Sequence, residues 1–285
     1  MNNKVLACID HSSYTPSVCD YAAWAAVRMA APLEFIHVLD RHPETAQKHD
    51  FSGSIGLGTQ ENLLAELSLL DEQRSKLAQE TGRQLIQAAK QRVASASVPH
   101  LEGKQRNGEL VETLAEMESE ARLFVLGKRG EAAETASQHI GSNLERVVRA
   151  LHRPILAVPK MFLEPRKFMV AFDGSATTRK GVEMIASSPL FRGLPCHVVM
   201  ADSDSAGSSA QIAWAKNTIK AAGFETHTAI VAGEPETALA DYRNAHDIDL
   251  LVMGAYGHSR IRRLLVGSTT TTMLRTLSVP ILLLR

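Results

Sequence analysis

The sequence predicts an α/β protein made of two repeated domains, each with an open, mainly parallel five-stranded sheet flanked by helices. Short apolar runs alternate with segments of helical periodicity, which is typical of right-handed strand–helix–strand units. The pattern occurs twice, because Lys4–Asp10 matches Lys167–Asp173 and Arg153–Val158 matches Val279–Leu284. The length of 285 residues also fits about two domains.

The first half opens with Val5–Ile9, a nearly continuous apolar run that fits a strand covered on both faces. Pro16–Met29 follows with apolar residues on one helical face, and Pro16 suits a first helical turn. The other predicted strands are Leu33–Leu39, Val98–Gln105, Leu123–Leu126 and the closing strand Pro154–Val158. The other predicted helices are Glu61–Ala94 and Glu109–Ala121. Residues 40–60 form a polar, glycine-rich insertion, which we interpret as a lid or an interface segment.

The second half repeats this plan with less insertion. Its predicted strands are Phe168–Phe172, Cys196–Met200, Thr226–Val231, Leu250–Met253 and Ile281–Leu284. Its predicted helices are Thr177–Ser187, Ser209–Ala222, Pro235–Ala245 and Ser268–Leu277. Pro159–Arg166 contains two prolines and mixed charges, so we interpret it as a linker between a domain at residues 1–160 and a domain at residues 161–285.

The strongest functional signal lies late in the second half. Gly254 and Gly257 follow an apolar strand, and Gly267 and Ser268 come nine residues later, at the start of a predicted helix. Glycines let the backbone approach a ligand closely, and the free N–H groups of a first helical turn attract anions. Ser268 and Thr269 add hydroxyl donors, so this loop predicts a phosphate site.

The first half carries a related loop. Gly127 and Gly130 follow the strand Leu123–Leu126, and Gly141 and Ser142 come ten residues later. This spacer contains two glutamates and no lysine or arginine, whereas residues 258–266 contain three arginines and no acid. Phosphate prefers the arginine-rich loop, so nucleotide is predicted mainly in the second domain, beside a degenerate first site.

These motifs resemble the universal stress protein family, and two copies in one chain resemble its tandem subtype. The resemblance implies a fold of the adenine-nucleotide α-hydrolase type, with ATP or AMP, alone or with Mg²⁺, beside the glycine loop. By the same resemblance, the two domains pack as a pseudo-dimer. No metal ligand from the protein and no catalytic residue is implied.

Carried over by position, Asp173 meets the ribose or adenine, and Met200 lies beside the adenine. The implied second-domain set is Asp173, Met200, Met253, Gly254, Gly257, Gly267, Ser268 and Thr269. The implied weaker first-domain set is Asp10, Val38, Leu126, Gly127, Gly130, Gly141, Ser142 and Asn143. The alternative for Asp10 and Asp173 is a turn-forming role at a strand end.

Several other classes of function lack their signals. Formal net charge is zero, with 31 basic and 31 acidic residues, which argues against a nucleic-acid partner. No apolar run reaches the length of a membrane span, no signal peptide is visible, and the three cysteines form no framework, so a cytoplasmic setting is the simplest. The P-loop and nucleophile-elbow motifs are absent. His37 and His42 are five apart, but His37 falls in a strand, which disfavours a metal site.

Three hypotheses for function follow. The leading one is a stress-response or regulatory protein that binds an adenine nucleotide without rapid turnover and is read by an unknown protein partner. The second is a slow ATPase or an adenylyl-transfer enzyme on the same fold. The third is a nucleotide-free interaction scaffold. A further homodimer is also open, and the closing strands are candidates for the contact between domains because unpaired apolar edges seek cover.

Overall fold

The computed structural model describes residues 4–39, 57–131, 142–202, 206–255 and 268–285, without the side chains of 57–65 and 142. The strands are β1 (Lys4–Cys8), β2 (Leu33–Leu39), β3 (Leu101–Asn107), β4 (Ala121–Gly127), β5 (Ile155–Val158), β6 (Phe168–Ala171), β7 (Cys196–Ala201), β8 (Thr226–Val231), β9 (Leu250–Gly254) and β10 (Ile281–Leu284). The helices are α1 (Thr15–Met29), α2 (Leu57–Arg92), α3 (Leu110–Glu116), α4 (Ser142–Ala150), α5 (Ala176–Ser187), α6 (Ala206–Ala221), α7 (Pro235–Ala245) and α8 (Ser268–Thr276).

The ten strands of the described residues belong to one sheet with the order β3-β2-β1-β4-β5-β10-β9-β6-β7-β8. Within each half every neighbouring pair is parallel. The halves meet at an antiparallel pair, in which Leu282 lies opposite Leu156. We call this β5–β10 pair the seam. The predicted α/β fold with two mainly parallel five-stranded sheets is therefore confirmed, and the closing strands do form the contact between the halves.

Two apolar cores cover the two faces of the sheet, and each core runs through both halves. One contains Val5 and Phe35 from the first half together with Phe168 and Phe191 from the second. The other contains residues such as Leu6 and Met253. Alternate residues of the seam strands enter different cores, since Leu156 and Leu282 belong to the first and their neighbours to the second. The seam is thus buried on both sides.

Polar contacts also join the halves. The Arg28 guanidinium at the end of α1 donates to the carbonyls of Leu190 and Arg192, which lie in and after a short 3-10 helix. The Tyr21 hydroxyl donates to the Leu163 carbonyl at 3.1 Å and accepts from the Leu163 N–H at 3.2 Å. The segment between β5 and β6 is therefore fixed to α1. The predicted domain boundary at residues 160 and 161 falls in this segment and stays a prediction.

The ends of α4 and α8 are held from the opposite half. The Lys128 ammonium, which follows β4, donates to the carbonyls of Leu277 and Val279 beyond α8, at 2.6 and 2.9 Å. The Arg285 guanidinium, which follows β10, donates to the carbonyls of Arg149 and Leu151 at the end of α4, at 2.6 and 2.8 Å. Cations favour the negative C-terminal end of a helix, so each half stabilises a helix of the other.

Three predicted elements in the first half have different bounds in the structure. The helix predicted over Glu109–Ala121 ends at Glu116, because residues 117–120 turn and Ala121 already pairs with Lys4 in the sheet. The strand predicted over Val98–Gln105 is shifted to Leu101–Asn107, where it pairs with β2 along its whole length. The helix predicted from Glu61 begins at Leu57, inside the predicted insertion. The remainder of that insertion, residues 40–56, lies outside the described residues.

Among the α2 side chains that the structure describes, Leu67, Leu69, Leu70 and Leu77 are exposed. Within the described residues, none of the helices combines the length and the apolar character needed to cross a bilayer.

A cluster of aromatic and histidine rings lies between the second positions of β7 and β8 and the end of α7. The His197 ring stacks on His227 at 4.7 Å between centroids and meets the Tyr242 hydroxyl at 2.9 Å through Nδ1. His246 stacks on Tyr242 at 3.9 Å. Burial lowers the pKa of His197 to about 4, and the charges of His227, His246 and Lys167 add to this effect against Glu225.

Shortening a seam side chain is expected to destabilise the whole chain. Leu156 is fully buried, so Leu156→Ala removes packing in a core shared by both halves and costs about 2–5 kcal/mol of the free energy of unfolding. Chemical denaturation followed by circular dichroism measures this loss. Leu163→Ala is the matched control, because Leu163 is 68% exposed and its substitution is expected to change little. Equal losses of unfolding free energy in the two variants would contradict the claim that the seam stabilises both halves.

His197 is expected to make stability depend on pH. Its folded pKa lies below the value of about 6.5 for an unfolded histidine, so its contribution is complete above pH 6.5 and is lost as the pH falls toward 4. His197→Asn is expected to lose less melting temperature between pH 7 and pH 5 than the unsubstituted protein. His100→Gln, at a side chain that is 61% exposed, is the control and is expected to retain the full pH dependence. An unchanged pH profile in His197→Asn would reject this role.

Candidate functional site

A cavity of about 490 Å³ opens in the first half at the carboxyl ends of β1, β2 and β4. Strand β1 lies between β2 and β4, so this is the place where the strand order reverses, and ligands of open α/β sheets bind at such places. The walls come from the ends of these strands, from residues 108–110 after β3, and from the first turns of α4.

Asp10 ties two walls of this cavity together. One carboxylate oxygen, Oδ1, accepts from the Ser12 N–H at 3.0 Å, which turns the chain from β1 into α1. The other, Oδ2, accepts from the Glu131 N–H at 3.0 Å, beyond β4. The Thr15 hydroxyl donates to the Asp10 carbonyl at 2.6 Å and reinforces the turn. Asp10 therefore fixes the position of the glycine loop relative to the first strand.

Two glycines of that loop leave no room for a side chain. A Cβ on Gly130 would lie 2.8 Å from Asp10 Oδ2. A Cβ on Gly127 would lie 2.8 Å from the Cβ of Tyr14 and 2.9 Å from the carbonyl oxygen of Arg129. Both positions thus require the close backbone approach that only glycine permits. Their role in phosphate binding stays a prediction.

Polar side chains face the cavity from α4 and from the loop after β3. Asn143 and Arg146 lie on the first turns of α4, and Glu109 immediately precedes α3. Arg146 and Glu109 form an ion pair, which joins the two walls. The N-terminal end of α4 adds the partial positive charge of a helix start. Because the Arg146 charge is already paired, Asn143 and the start of α4 are the features of this side that suit an anionic group.

His37 is a buried member of the cavity wall. Its ring is 5% exposed, and Nδ1 lies 3.0 Å from the Ile9 carbonyl. A carbonyl only accepts, so Nδ1 carries the hydrogen in this contact. His42, its neighbour in the disfavoured metal pair, lies outside the described residues.

Most of the weaker candidate set from the sequence meets in this cavity. Its walls include Asp10, Val38, Leu126, Gly127, Gly130 and Asn143. Gly141 lies outside the described residues, and Ser142 is described only as the first residue of α4. The structure thus brings together residues from three strands and a helix that the sequence separates widely.

Asp173 makes the same turn in the second half. Its Oδ1 accepts from the Ser175 N–H at 3.0 Å and from the Thr178 hydroxyl at 2.7 Å. The turn-forming interpretation thus describes bonds that Asp10 and Asp173 both make. Each carboxylate also follows the carboxyl end of the central strand of its half, which is where ligands of open α/β sheets bind. The turn-forming role and a ligand contact are therefore compatible.

The other second-half candidates lie around the same position. Met200 and Met253 are buried at the carboxyl ends of β7 and β9, and Gly254 is the last residue of β9. Ser268 is exposed at the first position of α8. The Thr269 hydroxyl donates to Glu236 at 2.8 Å. Gly257 and Gly267 lie outside the described residues.

Several residues of the first-half cavity were missed by the sequence reasoning. They are Tyr14, Glu109 and Arg146, whereas His37 and Arg129 were considered only for a metal pair and for the charge of the loop. Tyr14 and Glu109 lie within a few residues of a predicted helix start, so their position was the available signal. Arg146 lies on α4, which was not among the predicted helices. The pairing of Glu109 with Arg146 depends on the packing of α3 beside α4 and left no mark in the sequence.

Removal of the Asp10 carboxylate is expected to loosen the cavity. Asp10→Ala leaves the N–H groups of Ser12 and Glu131 without their acceptor and is expected to cost about 1–3 kcal/mol of the free energy of unfolding. Denaturant unfolding measures the loss. Glu131→Ala is the matched control, because Asp10 contacts only the backbone of Glu131 and its side chain is exposed. A larger loss in the control than in Asp10→Ala would contradict the assigned contact.

Comparisons of the sequence and of the structure with known proteins all point to one family. A family model described as the universal stress protein family matches residues 1–159 and again residues 164–285. A universal stress protein of Synechocystis sp. is 35% identical over 285 residues, which cover 99% of both chains. One of Mycobacterium tuberculosis is 22% identical and is matched over 95% of its length by the whole of this chain. The crystal structure of a universal stress protein from Archaeoglobus fulgidus has the same fold, with a TM-score of 0.69 at 17% identity, covering 100% of this chain and 99% of that one.

Proposed function

Because the chain belongs to the universal stress protein family, we propose that it is a stress-response or regulatory protein that binds an adenine nucleotide. ATP and AMP are the proposed ligands, with or without Mg²⁺. The chain's own residues bind and orient the nucleotide in this proposal, and no protein residue ligates the metal.

The observation that carries the proposal is the first-half cavity. Its deeper part is lined by apolar side chains such as Ile36 and Leu126, which suit a flat base. Its rim carries Asn143, Arg146 and the start of α4, which suit phosphates. The glycines beside Asp10 keep the backbone close to this space. Apolar depth and a polar rim that ends at a helix start together fit a nucleotide better than a purely apolar or purely ionic ligand.

We also propose a second nucleotide site, the main one, in the second half. Asp173, Met200, Met253 and Gly254 lie at the ends of three adjacent parallel strands, as their counterparts do in the first half. Gly257, Gly267, Ser268 and Thr269 complete the set in the sequence, and the three arginines of residues 258–266 supply positive charge for phosphates.

In the proposal the nucleotide is bound without rapid turnover, and two of the three acidic side chains among the described lining residues already hold structural contacts. Asp10 accepts two backbone N–H bonds, and Glu109 is paired with Arg146, so both already hold structural contacts. In the proposal the bound state is read by a protein partner in the cytoplasm, and a homodimer forms in addition to the internal pairing of the halves. Light scattering over a range of concentrations tests the homodimer, and a strictly monomeric mass would reject it.

Nucleotide extraction from gently purified protein is the direct test. Denaturation, chromatography and mass spectrometry identify any released nucleotide and its stoichiometry. About one ATP or AMP per chain supports one occupied site, and about two support both halves. If the protein retains no nucleotide and also fails to bind added Mg-ATP, the nucleotide-free scaffold is the better description. Phosphate release above that of the site variants below would favour the slow ATPase.

Adding a negative charge at each phosphate position is expected to separate the two sites. Asn143→Asp and Ser268→Asp both place a carboxylate in the first turn of a helix, where it suits the helix and repels phosphate. Each is expected to lower nucleotide affinity at its own site on the order of tenfold or more, equal to about 1.4 kcal/mol or more. Calorimetric titration with ATP measures the loss.

Asn217→Asp on the exposed face of α6 is the control for net charge. It is expected to bind ATP like the unsubstituted protein. A loss in Ser268→Asp alone assigns binding to the second half, and a loss in Asn143→Asp alone assigns it to the first. Unchanged binding in both variants would remove these positions from the site.

A further inference from the structure

A second pocket lies where the halves meet, at the edge of the sheet formed by the ends of β4 and β5. It measures about 280 Å³, which is smaller than the ~300–1,000 Å³ of typical ligand sites. Tyr14, Lys128, Arg129 and Lys160 line it from the first half, and residues 274–278 at the end of α8 line it from the second. We call it the basic pocket.

The charge of the basic pocket is one-sided. Four cationic side chains line it, namely Lys128, Arg129, Lys160 and Arg275, and no aspartate or glutamate is among its described lining residues. Tyr14, Thr276 and Ser278 add hydroxyl groups. Like charges that converge raise the local potential and attract anions.

Capping of α8 explains only part of this charge. Lys128 donates to two carbonyls beyond the helix, and Arg275 lies in its last turn, where a cation is favourable. Arg129 and Lys160 belong to other segments and are not needed for that cap. An ammonium has three N–H donors, so the two carbonyl bonds of Lys128 do not use all of them. Burial lowers the pKa of Lys128 to about 7, with the Arg243 charge adding to the effect, and a bound anion stabilises its charged form.

The basic pocket also adjoins the first-half cavity, because Tyr14 and Arg129 line both. From this geometry we propose that the basic pocket is a separate binding site for a phosphoryl group or a comparable oxyanion. The group has two possible sources. It belongs either to a free oxyanion or to the distal phosphates of a nucleotide in the neighbouring cavity. Only the second source rests on the proposed function.

The test uses the double variant Lys160→Gln/Arg275→Gln in the full chain. Both side chains are exposed and line the basic pocket but not the cavity, so the variant is expected to fold normally. The matched control is Lys180→Gln/Lys216→Gln, which removes two exposed cations elsewhere and changes the net charge equally. Calorimetric titrations at low ionic strength compare inorganic pyrophosphate, AMP and ATP, and melting temperatures check the fold.

Two results support the site. If the source is free, the pocket variant loses about tenfold or more in pyrophosphate affinity, and saturating ATP leaves pyrophosphate binding to the unsubstituted protein intact. If the source is the nucleotide, the variant loses affinity for ATP and keeps its affinity for AMP, whereas Asn143→Asp weakens both. The control keeps all three affinities.

Two results overturn it. Equal pyrophosphate, AMP and ATP affinities in the pocket variant, the control and the unsubstituted protein would show that no anion uses these cations. A lowered melting temperature in the pocket variant without any change in anion affinity would show that the cations only cap α8. Absence of nucleotide binding throughout would reject the proposed function but would leave the pyrophosphate comparison decisive for the pocket.

Discussion

The antiparallel pairing of β5 with β10 determines the architecture of this chain. Each half alone would end in a short apolar strand with an unpaired edge, and such edges require cover. In the seam, backbone hydrogen bonds supply that cover, and Leu156 and Leu282 place the joint inside a core that spans both halves. The two halves are consequently one folded body with ten strands and two shared cores.

The same pairing determines where chemistry can occur. Because the two halves run in opposite directions at the seam, the carboxyl ends of their strands lie at opposite edges of the sheet. At each of these edges, the carboxyl ends of the strands of one half lie beside the amino ends of the strands of the other half. Lys128 beside the first-half cavity therefore reaches the end of α8, and Arg285 reaches the end of α4. The basic pocket arises from this meeting, since neither half alone contains all of its cations.

The sequence predicted best those features that depend on residues close together in the chain. Buried parallel strands such as β2 need apolar runs, and Gly127 and Gly130 lie where a Cβ would clash with neighbouring atoms. Prediction failed where distant contacts decide the outcome. Helix α3 ends before the predicted Ala121 because that residue already pairs with Lys4 in the sheet, and Glu118 in the intervening turn accepts the N–H groups of His152 and Arg153. The Glu109–Arg146 pair likewise exists only after folding. The cavity was thus predictable in its loops and strand ends, and its ion pair was not.

The covalent connection through Phe162 and Leu163, which packs against Tyr21, makes the pairing of the seam strands intramolecular. Two separate chains joined by the same strands would dissociate on dilution, whereas here the pairing is a first-order process with a fixed effective concentration. Because the two halves belong to one chain, their sequences can also differ from each other. Acidic residues in one spacer and arginines in the other can therefore coexist in every molecule, in a fixed ratio of one to one.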